Sequence, residues 1–380
     1  MKIALFTDTY APDVNGVART LKRFTDYLDT KGHEYKVFAP ESTQESLFSS
    51  HIHRFASFPF FLYPECRVAW PNMLQVKAEL QKFQPDLIHI ATPFNIGFCG
   101  LHYAKKLNIP VVGSYHTDFD QYLDYYDLQF FSKFLWKYMH WFHRPFQKIF
   151  VPSMETKDQL RKQGFRNLHI WGRGVDCSLF KPDFEDLDLH HEYGIKEKYI
   201  LTYVGRLAPE KDIETLMKIS HQLPASMKDK VHWVIVGDGP SKTEMEKQAP
   251  DNMTFAGYLS GKNLARLYAG SDLFVFPSPT ETFGNVVLEA LACGTPVVGA
   301  NSGGVKNIVQ EGRTGSLCEP RNAEDFIQTI GRLLGNEGLR KEMKYHARKY
   351  ALSQTWDQIF DGLLKEYEDV LIELDEVRYA

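Results

Sequence analysis

The chain has only five cysteines in 380 residues, none of them in a CxxC pair, so it lacks the spacing of a zinc site or a dithiol redox motif. An odd number leaves at least one thiol unpaired in any disulfide scheme, and reduced cysteines in a cytoplasm are the simpler account. No run approaches the roughly eighteen apolar residues that a spanning helix needs. Contact with a bilayer is therefore expected to be peripheral, at the inner face of the cell membrane. The opening MKIALFTDTY reads as a strand entering a loop, with an apolar run too short for a signal peptide. A large excess of charge is missing as well, and a net charge of −4 argues against a nucleic-acid partner held by bulk electrostatics. The pairs His51/His53 and His140/His143 have no carboxylate or cysteine companions at ligand spacing, so no metal is expected. Short-period repeats and low-complexity tracts are absent.

What remains is a globular composition, 43% hydrophobic and 24% charged, in a chain long enough for two domains. Apolar runs alternate with helical periodicity from the start. Lys2 to Phe6 reads as a strand, and a helix from about Val17 to Thr30 carries Val17, Leu21, Phe24 and Leu28 at helical spacing, with Gly32 as its stop. Further strands are expected at Val37 to Ala39, Asp86 to Ile90 and Pro110 to Tyr115, with helices near Asn72 to Phe83 and Ile96 to Leu107. Strands alternating with helices predict a doubly wound α/β sheet, which binds ligands at the carboxyl ends of its strands. A second sheet is expected to begin at Tyr199 to Val204.

The stretch from Phe274 to Asn301 organises the second half. It reads as a buried strand (Leu273 to Phe276), a Pro/Ser/Thr loop, a helix opening near Gly284 and a strand (Pro296 to Gly299). Glu281 lies in the loop and Glu289 eight positions on. Between them, Phe283, Gly284 and Asn285 bring backbone N–H groups to a helix N-terminus, where phosphate or sugar oxygens are favoured. Two glutamates alone are more often solvated loop and helix residues. Here glycines surround them, and three further segments lie upstream in a fixed order.

The first is Asn15-Gly16-Val17, at the mouth of a strand-to-helix turn. The second is His116 in YHTDF, just past a strand end, where it reads equally as a site residue or a structural one. The third is Gly205-Arg206-Leu207 through Lys211-Asp212, whose two cations in a glycine-opened loop suit a diphosphate leaving group. As an ordered set these segments resemble the family-four retaining glycosyltransferases, over essentially the whole chain. The resemblance implies the GT-B architecture: an acceptor-binding Rossmann-like domain at 1–175, a linker at 176–198, a nucleotide-sugar-binding domain at 199–355, and a final helix at 356–380 crossing back, with the two domains facing a cleft.

It also implies roles. Arg206 and Lys211 would clamp the diphosphate, Glu281 with the Phe283, Gly284 and Asn285 amides would hold sugar hydroxyls, and Glu289 would take the ribose. The strand ends at Gly237, Asp238 and Tyr258 would line the base and ribose pocket. Asn15 and Gly16 would lie against diphosphate and acceptor, and His116 would touch the transferred sugar. No cofactor is expected beyond the nucleotide-sugar substrate. TDTYAPDVNGV and YHTDF resemble the bacterial branch acting on lipid acceptors, which includes GDP-mannose-dependent mannosyltransferases and UDP-glucose-dependent diacylglycerol glucosyltransferases, and a mannosyl donor is the first expectation. A nucleotide-sugar 2-epimerase shares the architecture without needing an acceptor, and a non-catalytic nucleotide-sugar sensor is a third class. Asp118-Phe119-Asp120 spells the metal motif of an unrelated transferase class but precedes the nucleotide-binding half, so it reads as loop chemistry, acceptor-facing.

Residues 128–148, LQFFSKFLWKYMHWFHRPFQK, contain no Asp or Glu. That composition fits an interfacial helix on anionic lipid, and equally a core helix with a basic edge in water.

Overall fold

A computed structural model describes residues 1–13, 15–41, 51–60, 63–115, 132–185, 187–281 and 283–379. The chain divides into two compact units. The first holds residues 1–171 and 360–380, the second residues 172–359.

In the first unit a seven-stranded sheet runs β3-β2-β1-β6-β7-β8-β9. Its strands are β1 (Lys2–Phe6), β2 (Glu34–Pro40), β3 (Ile52–Phe55), β6 (Leu87–Ile90), β7 (Val111–Ser114), β8 (Ile149–Val151) and β9 (Leu168–Ile170), and every pairing is parallel. A parallel sheet is covered on both faces, and the near-continuous apolar runs follow from that: Ile3 to Phe6 are all buried. β4 (Ser57–Phe60) and β5 (Tyr63–Ala69) form a separate antiparallel pair. Helices α1 (Gly16–Thr30), α2 (Met73–Phe83), α3 (Asn95–Leu107), α4 (Ser132–His143) and α5 (Met154–Lys162) connect the strands. Ser153 caps α5 through the Thr156 amide at 3.2 Å, as a serine before an apolar helix start predicts.

In the second unit a six-stranded parallel sheet runs β12-β11-β10-β13-β14-β15. The strands are β10 (Tyr199–Val204), β11 (Val231–Val236), β12 (Met253–Gly257), β13 (Leu273–Phe276), β14 (Val297–Ala300) and β15 (Gly315–Cys318). α6 (Ile213–Gln222), α7 (Lys242–Gln248), α8 (Gly261–Gly270), α9 (Asn285–Ala292), α10 (Ala323–Leu334) and α11 (Glu337–Leu352) are its main helices. This is the strand order of a dinucleotide-binding fold, and it reverses between β10 and β13. Sheets of this kind bind ligands in the crevice at such a reversal, outside the carboxyl ends of the strands.

Residues 176–198, expected as a linker, are part of the second unit, because Phe180, Leu189 and Ile195 are buried in its core. Arg348 holds this segment by donating to the Phe180 and Ala292 carbonyls at 2.7 Å each. The last helix, α12 (Trp356–Tyr379), starts in the second unit and belongs to the first from Phe360 onward. There Tyr367 is buried and shares a hydrogen bond with His89 Nδ1, while His89 Nε2 lies 2.9 Å from Ser114 Oγ. Burial holds His89 neutral, its pKa lowered to about 3. Lys148 adds an ion pair with Glu366 at 2.5 Å.

Candidate functional site

The second unit's switch point brings two of the sequence candidates, Lys211 and Glu281, together. β10 is an apolar run that carries the chain to Gly205, and a 3₁₀ turn at Pro209–Lys211 then presents Lys211 before α6 begins. β13 delivers the 277–284 loop beside it. Thr280 Oγ1 donates to the Glu210 carbonyl at 2.8 Å, tying the two loops. Lys211 Nζ donates to Glu281 Oε1, with side chains 20% and 19% exposed. An ion pair this far from bulk water is a fixed feature, where a surface pair would be loosely held.

The Glu281 backbone is held from the far side. Gly304 N donates to the Glu281 carbonyl at 2.6 Å, and Ser302 Oγ donates to the Pro279 carbonyl at 2.9 Å. Gly303 sits at φ 52°, and a Cβ there would lie 2.4 Å from the Glu281 carbonyl oxygen; one on Gly304 would lie 2.3 Å from that of Phe283. Only glycine lets the 303–304 turn approach this closely. Gly284, at φ 91°, then turns the chain into α9 at Asn285. The first amides of a helix have no intrahelical acceptor, so this turn offers donors beside an anchored carboxylate.

Arg206 is exposed and pairs with Glu210 at 3.5 Å. Beneath its loop, Tyr203 donates from its hydroxyl to the Arg206 carbonyl at 3.2 Å. Burial, and then the charge of Glu281, push the Tyr203 phenol pKa upward, so it stays a donor. Sequence reasoning passed over Tyr203. The residue pattern carries little signal, because β10 carries hydroxyls at Tyr199 and Thr202 as well, and nothing marks Tyr203 apart from them.

Gly237, at φ 137°, packs so tightly on this loop that a Cβ would fall 1.9 Å from the Gly205 carbonyl oxygen. Leu207 N donates to the Asp238 carbonyl at 2.9 Å, which locks the β10 and β11 loops together. The Asp238 carboxylate accepts from Gly239 N at 2.8 Å, and Tyr258, past the end of β12, is 79% exposed. Glu289 lies in α9, half-buried, close enough to the phenol of buried Tyr268 that burial and the Glu289 charge both oppose its ionisation.

In the first unit, β1 and β6 leave opposite sides of that sheet's reversal, and Asp8 bridges their loops. Its carboxylate accepts from Thr92 Oγ1 at 2.6 Å and Ile96 N at 2.9 Å, capping α3 from outside the helix. Burial lifts its pKa to about 6, against the pull of those donors. Asn15 is occupied as the α1 cap: its Oδ1 accepts from Ala18 N at 2.9 Å, and its Nδ2 donates to Thr9 Oγ1 at 2.6 Å. Gly16 is exposed at the first position of α1. His116 and the Asp118-Phe119-Asp120 motif lie outside the described residues, as do residues 128–131 of the basic aromatic segment. His140 Nε2 lies 2.7 Å from the Gln163 carbonyl, and buried His143 Nδ1 lies 2.8 Å from that of Met139. Among the described residues no group of three His, Cys, Asp or Glu is gathered as a metal would require.

Known proteins resemble the chain along its whole length. The model of Glycosyltransferase Family 4 matches residues 14–179, and that of Glycosyl transferases group 1 matches residues 187–350. A GDP-mannose-dependent alpha-mannosyltransferase of Mycolicibacterium smegmatis is 32% identical over 98% of both chains. An alpha-monoglucosyldiacylglycerol synthase of Streptococcus pneumoniae is 29% identical over 83% of this chain and 75% of its own. Among solved structures, sucrose-phosphate synthase of Thermosynechococcus elongatus superposes with a TM-score of 0.73 at 21% identity, covering 98% of this chain and all of that one, and so shares the GT-B class of fold. The chain belongs to glycosyltransferase family 4 and is a glycosyltransferase.

Proposed function

We propose that the chain is a retaining hexosyltransferase that moves mannose from GDP-mannose to a lipid-linked or cell-envelope glycan acceptor at the cytoplasmic face of the membrane. The observation that carries the transfer chemistry is the Lys211–Glu281 pair at the crevice between β10 and β13. Lys211 and Arg206 neutralise the diphosphate as its charge grows, which a divalent ion does in other transferases. Glu281 and the amides of Phe283, Gly284 and Asn285 hold the sugar hydroxyls. Glu289 takes the ribose, and Gly237, Asp238 and Tyr258 border the base. Asn15 and Gly16 meet diphosphate and acceptor, and His116 meets the sugar.

Retention follows from a same-face displacement. The acceptor oxygen bonds to the anomeric carbon as the bond to the β-phosphate oxygen breaks, and the acceptor proton passes to that departing phosphate. The donor assignment is supported by the whole-length likeness to the mycobacterial enzyme, whose name specifies GDP-mannose. A second reading, UDP-glucose-dependent transfer to diacylglycerol, is supported by the likeness to the pneumococcal synthase. No helix among the described residues is long and apolar enough to cross a membrane. Acidic residues are absent from α4, which supports an acceptor met at an anionic surface.

The test is incubation with membrane lipids and a panel of nucleotide sugars, recording which nucleotide is released. Acceptor-dependent GDP release with an α-mannosylated lipid is expected. A new nucleotide sugar formed from donor alone would instead mark an epimerase.

A further inference from the structure

Two helices of the first unit show the same unusual solvent face. On α4 the exposed positions Lys133, Phe134, Lys137 and Trp141, continued just past its end by Arg144, follow helical spacing, while Met139, Phe142 and His143 are buried on the opposite side. On α3 the exposed residues Phe98, His102 and Lys105 do the same, opposite buried Ile96, Cys99 and Tyr103. The two stripes touch. The Phe98 ring stacks on Trp141 with centroids 6.1 Å apart, and the Lys105 ammonium lies 5.8 Å over the Trp141 ring. Tyr138 fixes the alignment by donating to the Pro93 carbonyl at 2.5 Å.

The start of α2 packs beside α3. Tyr103 donates to the Met73 carbonyl at 2.5 Å, and Asn95 Nδ2 donates to the Ala69 carbonyl at 3.1 Å, which places Trp70 and Leu74, each 79% exposed, next to α3. Phe134 is 72% exposed, Trp141 50% and Phe98 48%. Large apolar side chains from two adjoining helices, left in water together, are the mark of an interaction surface. Its charge is one-sided: neither α3 nor α4 contains an Asp or Glu, in a chain whose net charge is −4.

We propose that α3 and α4 form one docking face for an anionic lipid bilayer. Phe98, Phe134 and Trp141 enter the headgroup region, and Lys105, Lys133, Lys137 and Arg144 meet lipid phosphates. Aromatic anchors ringed by flexible cations suit a fluid anionic surface, where the lysine stems can lie along the apolar layer with their charges at the headgroups. The proposal rests on the lipid-acceptor reading above and deepens it, because it places the attachment on folded helices of the acceptor-side unit, beyond the single segment 128–148.

The test is co-sedimentation of the full chain with phosphatidylcholine vesicles, with and without phosphatidylglycerol, in the absence of donor. Binding only to the anionic vesicles is expected, weakening as salt rises. The double variants Phe98→Ser with Trp141→Ser, and Lys133→Glu with Lys137→Glu, should each lower the partition about tenfold or more at an unchanged melting temperature. Equal binding to neutral vesicles, or binding untouched by both variants, overturns the proposal. A dimer in solution that the aromatic variant splits also overturns it, because the face would then be covered by a second copy. A chain that docks on anionic vesicles but glycosylates no lipid would leave this face standing and retire the acceptor assignment.

Discussion

Lys211 and Glu281, separated by 70 positions in the chain, meet as an ion pair at the carboxyl ends of two neighbouring strands. A cation and a carboxylate held together with partial burial are set to meet a ligand that offers both an anion and hydroxyl groups.

Removing the cation should therefore cost transfer and not folding. Lys211→Met is expected to lower kcat by about 10²- to 10³-fold, the usual effect of deleting one preorganised group aimed at developing charge. Arg206, more exposed and paired with Glu210 at the surface, should cost less when changed to Ala. Steady-state kinetics beside thermal melts separate the two effects.

Glu281 depends on its glycine neighbours. Gly303→Ala puts a methyl 2.4 Å from the Glu281 carbonyl oxygen at a left-handed backbone position, a strain of about 1–3 kcal/mol that the loop relieves by moving. The expected result is a drop in kcat/KM with a modest fall in melting temperature. Gly312→Ala, also at positive φ but with open space around it, serves as the control for conformation alone.

Asp8 makes stability depend on pH. Its pKa is raised by burial from 3.8 to about 6, so the folded state holds its proton more tightly than the unfolded state. The stabilisation is complete below pH 3.8 and is lost as pH rises through about 6, on the order of 3 kcal/mol in all. Denaturant titrations from pH 4 to 7 should show this slope in the wild type and a flatter one in Asp8→Asn.

His89 works in the opposite sense. Its pKa is lowered to about 3 by burial, so the unfolded state takes up the proton first. Its contribution is present above about pH 6.5 and is lost as pH falls toward 3. Tyr367→Phe leaves the buried Nδ1 without its partner and should destabilise the first unit by about 1–3 kcal/mol. Amide exchange in α12 beyond Phe360 should rise in that variant.

Much of this was legible in the residues. Leu273–Phe276 forms the expected strand without a shift, since a buried parallel strand writes itself as an unbroken apolar run. β3, β4 and β9, of three or four residues each, and the longer β5 were not anticipated; short strands are set by neighbours more than by their own pattern. Residues 176–198 were expected as a linker from the family resemblance; Phe180, Leu189 and Ile195 are too sparse to show a period, yet each is buried. The glutamate spacing pointed to the loop after β13 and the start of α9, but that Lys211 would pair with Glu281, and that Glu289 would sit by Tyr268, depends on how strands align in space, which one-dimensional spacing does not carry.

The most direct measurement is nucleotide release from GDP-mannose with membrane lipid, wild type against Lys211→Met and Glu281→Gln at equal folded concentration. Acceptor-dependent GDP release in the wild type, reduced at least a hundredfold in Lys211→Met and sharply in Glu281→Gln, is the predicted result, about the effect of one preorganised group. Near-normal turnover in either variant would contradict the assignment of this pair as the group that grips the donor.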